Sequence, residues 1–286
     1  MDDKIEILPV SLLDQHRPTV EALRRLARAL KLEFGWHYLL DLTWIIHHLG
    51  PVQGKRILDA GAGTGVLQWY LAEQGAEVLS VDRGSRAELP LRFRRRYGVT
   101  GLRDGDLMPY LRGLTSAPGV RLKARAAYLA ALLDFHTSRG RVVVYHQDLK
   151  TLVDIGDQTI DAVVAVSALE HNDPQDLGQV VSELSRVLKP GGVLLATLGA
   201  ACDQDWFHEP SKGWNYTDAS LRRLFGLPES APSNYDHFNE LFASLCECRE
   251  LRENLAAFYA RSGDNGMPWG RWDPQYPPVG VCKVKA

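Results

Sequence analysis

A glycine-rich turn between a short apolar strand and a helix is the feature that most constrains this fold. The run from Ile57 to Gly65 reads I-L-D-A-G-A-G-T-G, and the next apolar run ends at Asp82. Glycines allow positive φ and let a ligand approach where a Cβ would collide. An acid at the end of the following strand is placed to accept the hydroxyls of a ribose. The pattern therefore predicts a nucleotide-cofactor site.

The glycine spacing distinguishes between nucleotide cofactors. A dinucleotide fingerprint requires G-x-G-x-x-G/A, and counting from Gly61 puts Val66 at the third small residue. Asp59 would lie beside the ligand, where a carboxylate repels a pyrophosphate but attracts a cation. A cationic nucleoside is therefore favoured over a dinucleotide. The competing interpretation is a turn that only tightens a strand–helix junction, and the two acids at this spacing argue against it.

The turn D-x-G-x-G-x-G resembles motif I of the class I S-adenosylmethionine (SAM)-dependent methyltransferases. Three later segments match the same family in order, at 146–149, 167–172 and 187–194. The second of these, S-A-L-E-H-N, is similar to the S-x-L-E-H motif of small-molecule methyltransferases. The resemblance covers about residues 54 to 198, apart from an insertion. It implies SAM as the cofactor and S-adenosylhomocysteine (SAH) as its product.

Alternating strand and helix patterns predict an α/β, Rossmann-like, doubly wound and mostly parallel sheet. The resemblance implies seven strands with an antiparallel last one. Strands are expected at 56–59, 77–82, 141–146, 160–166 and 192–198, with helices at 66–74 and 174–188. Two late strands, at 251–259 and 279–284, are expected to form a hairpin on the sheet edge.

Four regions are distinguished along the chain. Residues 1–50 are expected to form an N-terminal helical cap, broken at Gly35, and 51–286 the SAM-binding domain. Within that domain, 83–140 is a basic and mainly helical insertion or lid, because a single crossover needs far fewer residues. Residues 200–240 form a substrate-side loop and helix.

The resemblance assigns the cofactor contacts residue by residue. Asp148 would accept a hydrogen bond from the adenine amino group, with Leu149 against the ring and Gln147 assisting. Tyr38 could reach the SAM carboxylate. Its alternative role is to belong to the buried face of its helix. The full expected set is Tyr38, Asp59, Ala60, Gly61, Gly63, Thr64, Gly65, Asp82, Arg83, Gln147, Asp148, Leu149 and Ser167.

Two histidines are candidates for the general base that a hydroxyl acceptor needs. His171 follows the fourth strand at the mouth of the site, and its alternative role is a hydrogen bond within its own turn. His208 is the second candidate. Aromatic side chains after the fifth strand suit a ring-shaped or sugar-like acceptor, or else they pack over the sheet end. The expected substrate residues are Trp206, His208, Trp214 and Tyr216.

The insertion carries a local excess of positive charge. Residues 83–141 contain 13 Lys or Arg and 4 Asp or Glu, a balance of +9 in a chain whose net charge is −2. This cluster could recruit a phosphate- or carboxylate-bearing acceptor, or it is a solvated helix face with arginines paired to acids. Nucleic acid is not expected as a partner, since the rest of the chain has no basic excess.

The predicted activity is methyl transfer from SAM to a hydroxyl, less readily an amine, of a small metabolite such as a sugar or secondary metabolite. Alternatives are an RNA or protein methyltransferase that uses the insertion, and a non-catalytic SAM-binding regulator. The acceptor could be anionic, and a homo-oligomer stays open. No membrane span, signal segment or metal site is expected, and the four cysteines form no disulfide framework. These features favour a cytoplasmic protein.

Overall fold

One twisted sheet organises the protein, whose computed structural model describes residues 2–94, 96–108, 139–261 and 266–286. The strands are β1 Lys4–Ile7, β2 Arg56–Ala60, β3 Glu77–Asp82, β4 Gly98–Gly101, β5 Arg141–His146, β6 Ile160–Val166, β7 Leu188–Ala200, β8 Trp206–His208, β9 Gly213–Tyr216 and β10 Pro278–Val284. Their order is β1-β10-β7-β6-β2-β3-β5-β4, with β9 added to β7 and β8 to β9.

The strand directions confirm the doubly wound, mostly parallel sheet. Strands β2 to β7 run parallel to their neighbours, whereas β10 is antiparallel to both β7 and β1. The sheet is larger than the seven strands expected, because β1, β4, β8 and β9 add short strands at its margins. Strands of three or four residues are too short to produce a periodic pattern in the sequence.

Helices cover both faces of the sheet. They are α1 Leu12–Gln15, α2 Arg17–Leu30, α3 Tyr38–Leu49, α4 Val66–Glu73, α5 Leu91–Arg94, α6 Pro174–Val187, α7 Asp218–Phe225, α8 Phe238–Cys246 and α9 Arg249–Glu253. Helix α2 buries Val20, Leu23 and Leu30 on one stripe and ends at Lys31, which takes the left-handed conformation. None of the helices in the described ranges is long and apolar enough to cross a membrane.

Alternation along the strands separates two apolar clusters, one on each face. Ile57 and Val78 pack with α2, α3 and α4, while Leu58 and Leu79 pack with α6 and α7. Successive side chains of a strand point to opposite faces, so adjacent residues enter different clusters. This two-sided burial is why the central strands are apolar throughout.

Three regions differ from the expectation. Residues 4–7, assigned to the helical cap, form an edge strand of the sheet. The hairpin strand expected at 251–259 is wrong: α9 and a 3₁₀ helix at Ala257–Arg261 lie there. The described part of the insertion contains one helix, α5, and one strand, β4, and the helical segment expected at 120–136 lies outside the described residues.

A close approach between β10 and α3 fixes the sheet edge against the cap. A Cβ on Gly280 would lie 2.6 Å from the indole ring of Trp44. Trp44 is fully buried, and its Nε1 donates to Glu6 Oε2 at 2.9 Å on β1. Because burial and this hydrogen bond hold the indole ring in place, glycine is required at position 280.

We expect Gly280→Ala to lower the free energy of unfolding by about 1–3 kcal/mol, the usual cost of overpacking a core. Gly178→Ala is the matched control, because Gly178 lies within α6 and its Cβ would meet nothing within 4 Å. Alanine there should stabilise the helix by roughly 0.5–1 kcal/mol. Chemical denaturation of both variants measures the difference, and equal midpoints would contradict the assigned contact.

Candidate active site

The glycine turn brings the ends of three strands together. Gly61 has φ of +74°, and its N–H donates to Val81 O at 2.9 Å. A Cβ on Gly61 would lie 2.5 Å from the Cβ of Ala168, directly after β6. Any side chain at position 61 would be strained and would push this segment away. Glycine is therefore required where β2, β3 and β6 converge.

Asp82 is held in place by the turn that it faces. Its Oδ2 accepts the Gly63 N–H at 2.8 Å, and its Oδ1 accepts the Gly84 N–H at 2.5 Å. Each carboxylate oxygen has a further lone pair available for a ligand hydroxyl. The side chain is thus oriented at the carboxyl end of β3, where ligands of such sheets bind.

A cavity of about 560 Å³ opens beside Asp82. Its lining residues are Tyr38, Gly61, Asp82, Arg83, Gly84, Asp148, Leu149, Ser167, Ala168, His171 and Asn172. A second compartment of about 240 Å³ shares Tyr38, Gly61 and Ser167 with the first, and contains Asp59, Gly63, Thr64 and Gly65. The two form one cleft along the ends of the parallel strands.

Asp59 lies in the inner compartment with only 3% of its surface exposed. Burial raises its pKa to about 7; nearby Arg86 lowers the value and Asp82 raises it. A buried carboxyl of this kind gains a strong partner when a cation enters beside it. The inner compartment therefore favours a positively charged group.

Three buried polar residues support the turn from behind, and the sequence motifs do not point to them. Gln68 Nε2 donates to the Gly65 carbonyl at 3.1 Å, and its Oε1 accepts from Ser80 Oγ at 2.6 Å. Arg86 donates to Gly63 O at 3.1 Å, to Ser80 O at 2.6 Å and to Ser80 Oγ. Gln68 and Ser80 are polar residues inside otherwise apolar runs of α4 and β3, whereas Arg86 follows β3 and has no such signal. Together they hold the carbonyls of the turn away from the cleft.

Most of the expected cofactor residues come together, and two do not line the cleft. Ala60 is fully buried beneath the turn. The Gln147 side chain donates to the Thr151 carbonyl at 2.7 Å, so its amide is already used. Asp148 Oδ1 accepts the Lys150 N–H at 2.9 Å, which orients that carboxylate at the cavity wall.

The segment after β6 has a strained backbone. Ser167 has φ of +44°, although it is not glycine, and its N–H donates to Thr197 O at 3.1 Å. Non-glycine residues in this region are uncommon and cluster at functional sites. His171 is exposed in the cavity wall, and its Nδ1 lies 2.8 Å from the Lys212 carbonyl. His171 thus lies in the cavity wall, and its ring bonds the loop between β8 and β9 rather than its own turn.

The expected substrate residues separate onto two faces of the β8–β9 ribbon. Trp206 and His208 lie on the side of Tyr276, with ring centroids 6.3 and 5.3 Å from it. Trp214 instead contacts Phe207 at 5.4 Å, and Tyr216 is buried in the apolar cluster of α6 and α7. Strand alternation explains the separation. His208 is nearly buried, which lowers its pKa, and its Nδ1 lies 2.7 Å from Ser211 Oγ.

The described arginines of the insertion are used within the fold. Arg94 donates to the carbonyls of Leu89, Ala87 and Met108. Arg92 donates to Leu30 O at 2.8 Å, and Arg96 lies 2.7 Å from Glu73. Of the three, Arg96 is paired with an acid as expected, whereas Arg92 and Arg94 bind backbone carbonyls. Among these arginines and Arg83, only Arg83 lines the outer cavity.

The cleft fits a cationic nucleoside. Asp82 presents acceptors for ribose hydroxyls, the missing side chain of Gly63 leaves space beside Asp82, and Asp59 provides a carboxyl beside the inner compartment. A methyltransferase-domain family matches residues 101–196 of the chain. The matched segment is a methyltransferase domain, and the chain shares the fold of the class I SAM-dependent methyltransferases. SAM is accordingly its cofactor.

Curated relatives agree with this family. The chain is 29% identical over 209 residues to a ubiquinone biosynthesis O-methyltransferase of Bordetella avium, covering 72% of this chain and 66% of that protein. It is 45% identical over 56 residues to the enzyme of the same name from Acinetobacter baylyi, covering 20% and 22%. The chain thus spans about a fifth to two thirds of these relatives.

A solved structure shares the fold over nearly the whole length. The [4+2]-cyclase SpnF superposes with a TM-score of 0.50 at 14% identity, covering 99% of this chain and 98% of that one. At this identity the likeness concerns the architecture alone.

We expect Arg86→Met to weaken SAM binding about tenfold at pH 7.5, the effect of roughly one unit of pKa on Asp59. Without the guanidinium the pKa of Asp59 rises further, so the carboxyl becomes neutral and loses its attraction for a cation. The difference should narrow above pH 8.5.

Isothermal titration calorimetry with SAM at both pH values measures this effect, with thermal melting to verify folding. Arg96→Met removes an arginine paired with Glu73 and serves as control. Wild-type affinity in the Arg86 variant at pH 7.5 would show that the guanidinium does not tune the inner carboxyl.

Proposed function

We propose that this methyltransferase transfers the methyl group of SAM to a hydroxyl of a small, ring-shaped metabolite. When bound, SAM supplies an electrophilic methyl group on a sulfonium. The observation that carries the proposal is the single cleft in which Asp59, Asp82 and Ser167 lie around one glycine turn. The O-methyltransferase relatives support oxygen over nitrogen as the acceptor atom.

The roles of the cofactor residues follow from their positions. Asp82 would bind the ribose hydroxyls, and Asp148 with Leu149 would face the adenine. Asp59 would attract the positive charge in the inner compartment, beside Thr64 and Gly65. Tyr38 lines both compartments, so it would cover the ligand from the cap. A ligand that is bound at both ends has little freedom of movement at its centre. The methyl group is then held in a position that favours in-line attack.

We propose that the acceptor binds beside the aromatic cluster around Tyr276, in which Trp36, His208 and Tyr276 are themselves buried. Trp206, His208 and Trp36 lie with ring centroids 5.3 to 6.3 Å from Tyr276, which suits a flat acceptor. We propose that residues 1–50 and 200–240 enclose this acceptor and that 83–140 covers the outer cavity. We also place the enzyme in the cytoplasm, in keeping with its four free cysteines.

We expect SAM and SAH to bind in the micromolar range and NAD not to bind. Asp82→Ala should weaken SAM binding about 100-fold or more, since each hydrogen bond to a charged acceptor contributes about 1.5–3 kcal/mol. Calorimetric titration measures this, with exposed Asp104→Ala as the control. Binding of NAD, or unchanged SAM affinity in the Asp82 variant, would contradict the proposed cofactor site.

SAM affinity should fall as the pH falls below 7. The pKa of Asp59 in the free protein is about 7, so the carboxyl is largely protonated below that pH and ionised above it. A cation binds the ionised form, so affinity drops by up to about tenfold per pH unit and binding releases a proton.

Calorimetry between pH 5.5 and 8.5, in buffers of different ionisation enthalpy, measures both quantities. Asp59→Asn should bind SAM weakly and independently of pH, whereas exposed Asp157→Asn should behave as wild type. A flat wild-type profile without proton release would argue that Asp59 does not face the cation.

A further inference from the structure

Glu170 is a buried acid next to the cleft that the roles above leave unused. Only 6% of its surface is exposed, although it lies in the turn between Ser167 and His171, both of which line the cavity. Its Oε1 accepts a hydrogen bond from Ser167 Oγ at 2.5 Å. The carboxyl is thus one hydroxyl group away from the cavity.

The second oxygen of this carboxyl is free to accept. Glu170 Oε2 is shielded from solvent and has no hydrogen-bond partner among the described residues. The hydroxyl of Tyr216 and Nδ2 of Asn215 are likewise buried without a partner there. Buried polar atoms are normally satisfied, so three such atoms around one turn need an explanation. Unused hydrogen-bonding capacity beside a substrate cavity is what a proton-accepting site requires.

Backbone strain holds Ser167 in position. Ser167 has a positive φ, and its N–H is fixed by Thr197, so its side chain is directed by a conformation that serine avoids. The same hydroxyl contacts the carboxyl on one side and belongs to the cavity wall on the other. An acceptor hydroxyl at this wall would reach Ser167 beside Tyr38, which also hydrogen-bonds the serine.

We propose that Ser167 and Glu170 form a proton relay for the methyl acceptor, whose hydroxyl binds to Ser167 Oγ and whose proton ends on Glu170. This inference rests on the proposed function. The acceptor O–H bond breaks as its oxygen forms a bond to the methyl carbon, and the electron pair of the broken methyl–sulfur bond stays on sulfur. The Ser167 proton passes to Glu170 and is replaced by the acceptor proton.

The surroundings of Glu170 strengthen it as a base. Burial raises the pKa of its carboxyl, while His171, the Ser167 hydrogen bond and His37 lower it. A carboxylate with a raised pKa accepts a proton more readily than an exposed one. The ionisable groups that face it from the packed elements are His37, Tyr38, His171, Tyr216 and Tyr276.

The same surroundings select an uncharged, planar acceptor. Tyr38, Tyr216 and Tyr276 all interact electrostatically with Glu170, and the wall around Tyr276 consists of aromatic rings. An anionic group directed at this carboxyl would be repelled. A neutral phenol fits the chemistry, and it differs from the anionic acceptor considered from the basic insertion.

The test uses 4-nitrophenol, whose phenolate absorbs at a longer wavelength than the phenol. It is titrated into the SAH-saturated protein, and absorbance reports both binding and ionisation of the bound probe. We expect wild type to bind the phenol and to ionise it increasingly as Glu170 becomes deprotonated. Glu170→Gln should bind it with the ionised fraction reduced at least tenfold, and Ser167→Ala should do the same. Glu209→Gln, an exposed acid of the same region, is the control.

Turnover gives the second readout. SAH formation from SAM and unsubstituted phenol, which stays neutral below about pH 9, is measured from about pH 5 to 9, and the acidic limb of kcat should disappear in Glu170→Gln. A limb that persists in Glu170→Gln but disappears in His171→Gln would overturn the relay in favour of the exposed histidine. Glu170→Gln could instead lose probe binding while its residual activity keeps the wild-type pH profile. That result would indicate a merely structural role for Glu170 and would also overturn the relay.

Different experimental results would contradict the relay and the methyl-transfer function on which it rests. If wild type binds SAM but neither binds 4-nitrophenol nor methylates phenol, while other hydroxylated metabolites are methylated, the relay to a phenol is wrong and the methyl-transfer proposal stands. If SAM is bound and no hydroxylated acceptor of a broad panel yields SAH, both proposals fall. If SAM itself does not bind, the cofactor site is wrong.

Discussion

The missing side chain at Gly61 is the constraint on which the rest of the site depends. Because there is no Cβ, the end of β6 can approach the turn after β2, and the Ala168 methyl group occupies the space. The hydrogen bond from Gly63 to Asp82 then ties the end of β3 to the same turn. Three strand ends thereby meet within a few ångströms. Any larger residue would separate them and open the cleft along its length.

Charge balance around this turn prepares it for a cation. Asp59 and Asp82 would repel one another, and the buried guanidinium of Arg86 offsets that repulsion while it also binds the turn carbonyl. Burial lowers the pKa of Arg86, and the neighbouring acids Asp82 and Asp59 raise it. Asp59 therefore has a pKa close to neutrality, and a cation bound beside it would favour the ionised form of its carboxyl.

The grouping of the proposed cofactor residues around one cleft could be predicted from the sequence because these residues belong to local motifs. Motif I, Asp82 and Asp148 each follow a strong apolar strand, and parallel strands deliver their carboxyl ends to one edge. The short strands β1, β4, β8 and β9 carry no such signal. Arg86 and Gln68 were also missed, since they act through burial and hydrogen bonds that only the folded chain creates. The helical segment at 249–261 was misread because a short apolar run does not distinguish strand from helix.

The two halves of the cleft differ in how far their polar groups are satisfied. At the cofactor end Asp82 and Asp148 are held by backbone N–H groups, and the turn carbonyls by Gln68 and Arg86. At the proposed acceptor end, Glu170 and the adjacent residues Asn215 and Tyr216 keep atoms without a partner among the described residues, and these two places are far apart in sequence. A rigid cofactor site can be encoded in contiguous motifs. An acceptor site assembled from β6, β9 and the cap is specified by packing, so its chemistry is visible only where buried polar atoms remain unsatisfied.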